Sequence, residues 1–350
     1  MSEEWSLQKD LNNIIHACER EFKELSSANI FITGGTGFIG CWILEAIRHS
    51  NLTFKTGIAA SILTRNVIAF RKKVPHLADY ELFDLIPGDV TNFNSPSKNY
   101  THLIHAATDA SAELNENNPL QMFNTVLQGT NRALEFAVEK NIRNVLYLSS
   151  GAVYGQQPWE IKKVPEDWLG GPNWVDARAT YSEAKRAAEM LCAIYMKQFG
   201  IKISIARIFA LLGPYLSLDI HFAAGNFIRD AINNKKVIVN GDGQPCRSYL
   251  YASDLTIWLL KMLVNRQQLP PMNVGSDESI SVGELAKKIS NLLGTGEYEI
   301  MGKTDIGWNP GIYVPKTELA YKELGVERTV SLDEAIIRTA KWNGWKGKEL

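Results

Sequence analysis

Residues 28–40, Ala-Asn-Ile-Phe-Ile-Thr-Gly-Gly-Thr-Gly-Phe-Ile-Gly, constrain this chain more than any other segment. A short apolar run feeds straight into a glycine-rich turn, and an amphipathic stretch, Cys41–Arg48, follows. Gly34, Gly37 and Gly40 are spaced three apart. A side chain at the first position would block the tight turn. One at the second would hold phosphates away from the backbone N–H groups, and one at the third would push the helix off the sheet. With a strand before it and a helix after it, the triplet reads as a dinucleotide-binding turn. It predicts the first βαβ unit of a parallel sheet.

The bulk numbers fit that reading and exclude others. A chain of 350 residues can bury a large core, or one domain plus a lobe. Its 45 % hydrophobic and 21 % charged residues are ordinary for a globular enzyme. The formal net charge is −1 and the longest basic run is only Arg71–Lys73, so neither nucleic acid nor a membrane surface is an expected partner. No apolar run is long enough to cross a bilayer. The first residues, Ser2, Glu3 and Glu4, are polar and acidic, unlike a secretory signal. Cys18, Cys41, Cys192 and Cys246 lie far apart with no C-x-x-C pair, so free thiols in a reducing cytoplasm are expected, and no metal.

Apolar positions from Trp5 to Leu25 recur near a period of 3.6 and predict a helix over 5–25, packed outside the domain. After the glycine turn, strand-like runs at 57–63, 81–86, 102–104, 144–148 and 201–208 alternate with helical runs at 120–140 and 181–199. This rhythm predicts an α/β fold with a doubly wound parallel sheet. Gly200 is placed to end the second of those helices. Beyond Gly213 the texture changes: a short strand at 237–239, then capping boxes at Ser281–Glu284 and Ser331–Glu334, opening helices to about 293 and 342. The expected division is a helical extension at 1–26, a Rossmann domain at 27–212, and a smaller mixed α/β lobe over most of 213–350.

Tyr181 and Lys185 stand four apart on a predicted helix, so both heads reach one site. A nearby ammonium favours the phenolate and is expected to draw the tyrosine pKa toward neutrality. The phenol then exchanges a proton with a hydroxyl or carbonyl at working pH. Upstream, the strand at 144–148 runs into Ser149-Ser150-Gly151-Ala152-Val153-Tyr154-Gly155. Open α/β sheets bind ligands at the carboxyl ends of their strands, so Ser150 is placed to hold the oxygen that Tyr181 protonates.

The glycine turn, Ser150, Tyr181 and Lys185, in this order, resemble the extended short-chain dehydrogenase/reductase family, in its nucleotide-sugar epimerase, dehydratase and reductase branch. Nearly all of the chain after residue 27 takes part. Gly34, Gly37, Phe38, Ile39 and Gly40 match the family's cofactor turn. Gly88-Asp89-Val90 looks like its adenine-contacting segment, and His105-Ala106-Ala107 like the loop beside the cofactor. The 205–209 run with Gly213-Pro214 looks like the crossover to the substrate lobe, and 241–254 like the nucleotide-clamping strand. The resemblance implies Tyr181 as acid/base, Lys185 on the nicotinamide ribose, Ser150 on the substrate oxygen, and Arg247 on the sugar-nucleotide diphosphate, where a planar bidentate donor suits an anion. It also implies a homodimer.

Three departures from the family narrow the function. The second strand ends Leu63-Thr64-Arg65-Asn66, with no acid for a ribose 2′-hydroxyl; Arg65 suits a 2′-phosphate and favours NADP(H), with NAD(H) as the alternative. Dehydratases and decarboxylases of the branch carry acidic residues where this chain has Gly151 and Ala152, so both chemistries are disfavoured. Ala210 replaces a common asparagine, and His221, Asn226 and Arg229 are candidates for the missing substrate contacts. The expected activity is hydride transfer at a hexose carbon, C4, of a nucleotide-activated sugar. The first form is a 4-keto-6-deoxy-sugar reductase; the alternative is an NAD-dependent 4-epimerase. A cofactor-sensing protein of this fold would typically lack the tyrosine or the lysine, and both are present here.

Overall fold

A computed structural model describes residues 5–108, 112–219, 223–303 and 311–347. Its largest sheet has seven parallel strands: β1 (Asn29–Thr33), β2 (Ala59–Thr64), β3 (Phe83–Pro87), β4 (His102–His105), β5 (Asn144–Ser150), β6 (Lys202–Ile208) and a late strand, Met272–Val274. Their spatial order is 3-2-1-4-5-6, with Met272–Val274 added beside β6. The order reverses between β1 and β4, which is where such sheets open a ligand crevice.

Alternate side chains of the strands feed two apolar layers, as the pleat requires. Ile30, Ile32, Leu146 and Leu148 join a core with Trp42 and Leu259. Phe31, Val145 and Tyr147 join a second with Phe136 and Ala184. The first layer is built by α1 (Leu7–Ala17), α2 (Glu19–Glu24), α3 (Phe38–Phe54) and a later helix, Ala252–Val264. The second is built by Pro119–Glu139 and Thr180–Phe199, two long helices packed on one another. The fold is therefore the expected α/β, Rossmann-like one.

Local signals set several boundaries. Gly200 ends Thr180–Phe199 in the left-handed region, φ 64°, with its N–H on the Met196 carbonyl. Both predicted capping boxes form, opening Val282–Leu293 and Leu332–Trp342. Two features differ from expectation. The 5–25 helix is broken at Cys18 into α1 and α2. And the chain after Gly213 does not stay in a lobe: Ala252–Val264 packs on α3, and Met272–Val274 returns to the main sheet.

The other strands form small sheets of two or three strands. One joins Cys246–Arg247 to Ile280–Ser281 and to Ile312–Tyr313. Its register places Tyr313 beside Arg247.

Candidate active site

The glycine turn lies at the crevice. Gly34 has φ +72°, and a Cβ there would stand 2.6 Å from the backbone of Ala106 and Ala107, so the turn closes directly on the loop after β4. Gly37 caps α3, leaving the first-turn N–H groups of Phe38, Ile39 and Gly40 without partners from within the helix. A Cβ at Gly40 would come within 2.4–2.5 Å of Gly35, so this glycine packs the helix on the turn itself rather than on the sheet. A turn closed to side chains at Gly34 and Gly40, at a helix N-terminus, fits a pyrophosphate. Thr33 Oγ1 accepts from the Ala107 N–H at 3.2 Å and bonds His105 Nδ1 at 2.7 Å, tying the turn to β4.

The adenosine end, as the sequence expects it, lies along β2 and β3. Arg65 is exposed directly after β2. Asp89 follows β3; its Oδ1 accepts from the hydroxyl and N–H of Thr91 at 2.6 and 2.9 Å. Those bonds, and the nearby positive charge of Arg65, hold the carboxyl below its ordinary pKa. Val90 is buried against Gly129. Beside Asp89 opens a cavity of about 430 Å³ lined by Thr91, Asn118, Gln121, Asn124 and Gln128, among others.

Ser150, Tyr181 and Lys185, the candidate catalytic residues of the sequence, lie near one another at the end of β5. Ser150 is the last residue of β5, 8 % exposed, and its Oγ accepts from the Ala152 N–H at 3.1 Å. Tyr181 opens the helix Thr180–Phe199, its N–H held by Asn115 Oδ1 at 3.0 Å. Burial pushes its phenol pKa up, with a bond to Ser150 opposing, so Lys185 does not draw it toward neutrality as expected. The reason is geometric. The Lys185 Nζ stands 6.0 Å from the Tyr181 ring centre and donates to Thr108 Oγ1 and to the Leu148 carbonyl, both at 2.8 Å. Lys185 is 2 % exposed, and burial brings its own pKa down to about 7.

Tyr313 is a third hydroxyl at this point. It lies 3.5 Å from Ser150 Oγ and 3.3 Å from the Ile208 carbonyl oxygen, with Phe209 packed on its ring at 4.5 Å. Burial drives its pKa above the ordinary phenol value, which keeps it neutral. The Arg247 guanidinium stands 6.0 Å from the Tyr313 ring centre. Arg247 donates to the carbonyls of Cys246 and Gly311 and has no carboxylate partner among the described residues. Asp254 is buried and bonded to Thr329 and Val330.

Tyr313 and Thr108 escape the sequence reading, since neither stands in a spacing that marks it. Asn226 lies on Ala223–Ile232, its Oδ1 taken by Arg229 at 3.2 Å; Arg229 also pairs with Asp219 and Asp230. Nothing described links either residue to Ser150. His221 lies outside the described residues. No metal-binding cluster of His, Cys, Asp or Glu occurs among the described residues, and none of their helices is long and apolar enough to cross a membrane.

Residues 30–275 match the NAD dependent epimerase/dehydratase family. The chain is 30 % identical over 316 residues to UDP-glucuronic acid decarboxylase 1 of Xenopus tropicalis, covering 90 % of this chain and 72 % of that protein. Among solved structures it resembles the UDP-glucose 4-epimerase of Thermotoga maritima with UDP-glucose (TM-score 0.73, 20 % identity, 90 % and 98 % of the two chains). It also resembles the UDP-glucose 4-epimerase of Thermus thermophilus in complex with NAD (TM-score 0.74, 20 % identity, 90 % and 99 %). With the glycine cradle, the serine–tyrosine–lysine trio and the sheet order in place, the chain belongs to the NAD dependent epimerase/dehydratase family.

Proposed function

We propose that the protein moves a hydride at C4 of the hexose of a nucleotide-activated sugar. The observation that carries this reading is the uncharged wall around Ser150. A Cβ at Gly151 would stand 2.5–2.7 Å from the Phe209 ring, so no acidic side chain fits there. Ala152, Phe209 and Tyr313 complete a neutral surface. Gly151 and Ala152 offer no carboxylate for elimination at the neighbouring carbons, while the groups for proton exchange at one oxygen are present.

The nicotinamide supplies or takes the hydride when bound. Gly34, Gly37 and the N–H groups of Phe38, Ile39 and Gly40 hold its pyrophosphate, Asp89 and Val90 face the adenosine, and Ala106 and Ala107 wall the dinucleotide. Ser150 holds the C4 oxygen and Tyr181 gives it a proton as negative charge develops there. Lys185 would donate to the ribose. Arg247 receives the diphosphate.

Net reduction of a 4-keto-6-deoxy sugar by NADPH is the form favoured by Arg65, an exposed cation where a 2′-phosphate would lie. The second reading, a 4-epimerase holding NAD, is supported by the NAD dependent family and by the epimerase folds it resembles. The setting we propose is the reducing cytoplasm, in keeping with its four free cysteines. The protein is proposed to pair as a homodimer through the long-helix layer, where Met190 and Ile194 are exposed one turn apart.

The test is a panel. The purified protein is given NADPH or NADH with a 4-keto-6-deoxy nucleotide sugar, and without added cofactor a UDP-hexose and UDP-glucuronic acid. Cofactor oxidation, faster with NADPH, supports the reductase, and Arg65→Asp then removes that preference. C4 inversion of the hexose by tightly bound NAD supports the epimerase. Release of CO2 from UDP-glucuronic acid contradicts both.

A further inference from the structure

One turn beyond Lys185, on the same face of Thr180–Phe199, lies Glu189. It forms a buried ion pair with Arg207 of β6, the two side chains 12 % and 14 % exposed. Arg207 Nη2 donates to Oε2 at 2.7 Å and Nε to Oε1 at 3.0 Å. Ser149 Oγ, from the end of β5, donates to the same Oε1 at 2.6 Å. Ser149 and Arg207 are register partners, and Asn273 of the neighbouring strand is Arg207's partner on its other side. Arg207 continues the network through Tyr154 Oη at 2.8 Å, and that hydroxyl donates to Asn273 Oδ1 at 2.7 Å. Three strand ends are thus pinned to the helix that bears the catalytic pair.

A buried ion pair is weak support for a fold, because desolvation offsets most of its attraction. Its place beside the catalytic pair gives it a different use. We propose that Glu189 is a positioning residue: anchored by Ser149 and Arg207, it seats Tyr181 and Lys185 against the Ser150 end of β5 and supplies the negative charge that offsets the burial of Lys185. The proposal rests on the reading of Ser150, Tyr181 and Lys185 as the catalytic groups, but not on the identity of the sugar.

The surroundings of Lys185 leave Glu189 this task. From β4, His105 is buried and neutral, its pKa brought down to about 3. From β5, the Tyr147 ring lies 5.0 Å from Nζ, and burial keeps its phenol protonated. From the helix itself, Cys192 is buried with its thiol pKa pushed up, and Tyr181 is likewise raised. Arg207, from β6, is a cation. Among the described residues, Glu189 is the carboxylate that favours charged Lys185, against the larger effect of burial.

The test is the pH dependence of cofactor affinity, read by protein fluorescence on titration with NADH and with NADPH, so that no sugar is needed. Lys185 lends full hydrogen bonds to the ribose only while protonated, so affinity falls along an alkaline limb. Glu189→Gln keeps the shape and loses the charge, and is expected to move that limb to lower pH by about one unit. Glu189→Asp keeps the charge and is expected to hold it near the wild-type position. Should Glu189→Gln fail to fold, Ser149→Ala frees Glu189 from β5 while leaving both charges in place. It is expected to move the limb the same way by a smaller step. An unmoved limb in Glu189→Gln, or in Ser149→Ala where that variant stands in, overturns the proposal, as does a wild type with no limb. Failure to turn over any nucleotide sugar, with the limb shifted as stated, counts against the proposed function instead.

Discussion

The hydroxyl of Tyr313 stands 3.5 Å from the Oγ of Ser150, although 163 residues separate them in the chain. The contact joins the end of a Rossmann strand to a strand of a different, smaller sheet. It makes the floor of the site a shared product of both parts. The same small sheet sets Arg247 beside Tyr313, so one aromatic ring is near both the group assigned to the reacting oxygen and the group assigned to the diphosphate.

Tyr313→Phe removes that hydroxyl and keeps the packing on Phe209. A neutral hydrogen bond contributes about 0.5–1.5 kcal/mol. The turnover number is expected to fall by about 3- to 10-fold, with cofactor affinity unchanged in a fluorescence titration. A variant as fast as the wild type would show that Ser150 needs no such support.

As the proposed diphosphate ligand, Arg247 is remote from the hydride, and a contribution of that kind is the same in ground state and transition state. Arg247→Ala is expected to raise KM strongly and to change kcat little in steady-state kinetics with the nucleotide sugar. An unchanged KM would return Arg247 to a structural role and move the search for the diphosphate site to Asn226 and Arg229.

Gly151 faces the Phe209 ring with no space for a methyl group. Gly151→Ala is expected to destabilise the fold by about 1–3 kcal/mol through overpacking. Phe209→Leu should relieve part of this, so the double variant loses less in thermal melting than the two singles added. Strict additivity would mean that the two positions do not press on each other.

His105 is held neutral between Thr33 and Thr130, with burial the main cause and the charge on Lys185 adding to it. Its pKa falls from 6.5 to about 3 on folding. Between those values the unfolded chain binds a proton that the folded chain refuses. This contribution to stability is complete above about pH 6.5 and is lost as pH falls toward about 3, at up to about 1.4 kcal/mol per pH unit. Denaturation curves should therefore show a shallower acid decline for His105→Gln than for the wild type. Equal slopes would exclude His105 as a source of acid sensitivity.

What the sequence disclosed depended on how local the cause was. The glycine turn, the two capping boxes and the Gly200 stop are short-range, and each stands where expected. The Tyr181–Lys185 spacing placed both residues on one helix face, and Glu189 was reachable by extending it one more turn. The break at Cys18 was not legible, because the apolar periodicity runs through it; in the fold Cys18 and Phe22 are both fully buried while the backbone leaves the helical region between α1 and α2. The return of Met272–Val274 to the main sheet and the approach of Tyr313 to Ser150 are long-range, and no local pattern encodes them. The expected lowering of the Tyr181 pKa failed for a related reason: spacing gives the face a side chain occupies, not the acceptors that Lys185 finds in Thr108 and Leu148.

The most direct measurement follows the hydride. The protein is incubated with NADPH bearing deuterium at C4 of the nicotinamide and a 4-keto-6-deoxy nucleotide sugar, and the product is read by mass spectrometry and NMR. One deuterium is expected at C4 of the sugar. Tyr181→Phe is expected to transfer it about 10²–10⁴-fold more slowly while still binding cofactor. Deuterium at another carbon, or full activity in Tyr181→Phe, would contradict the assignment of Ser150, Tyr181 and Lys185 to proton and hydride exchange at C4.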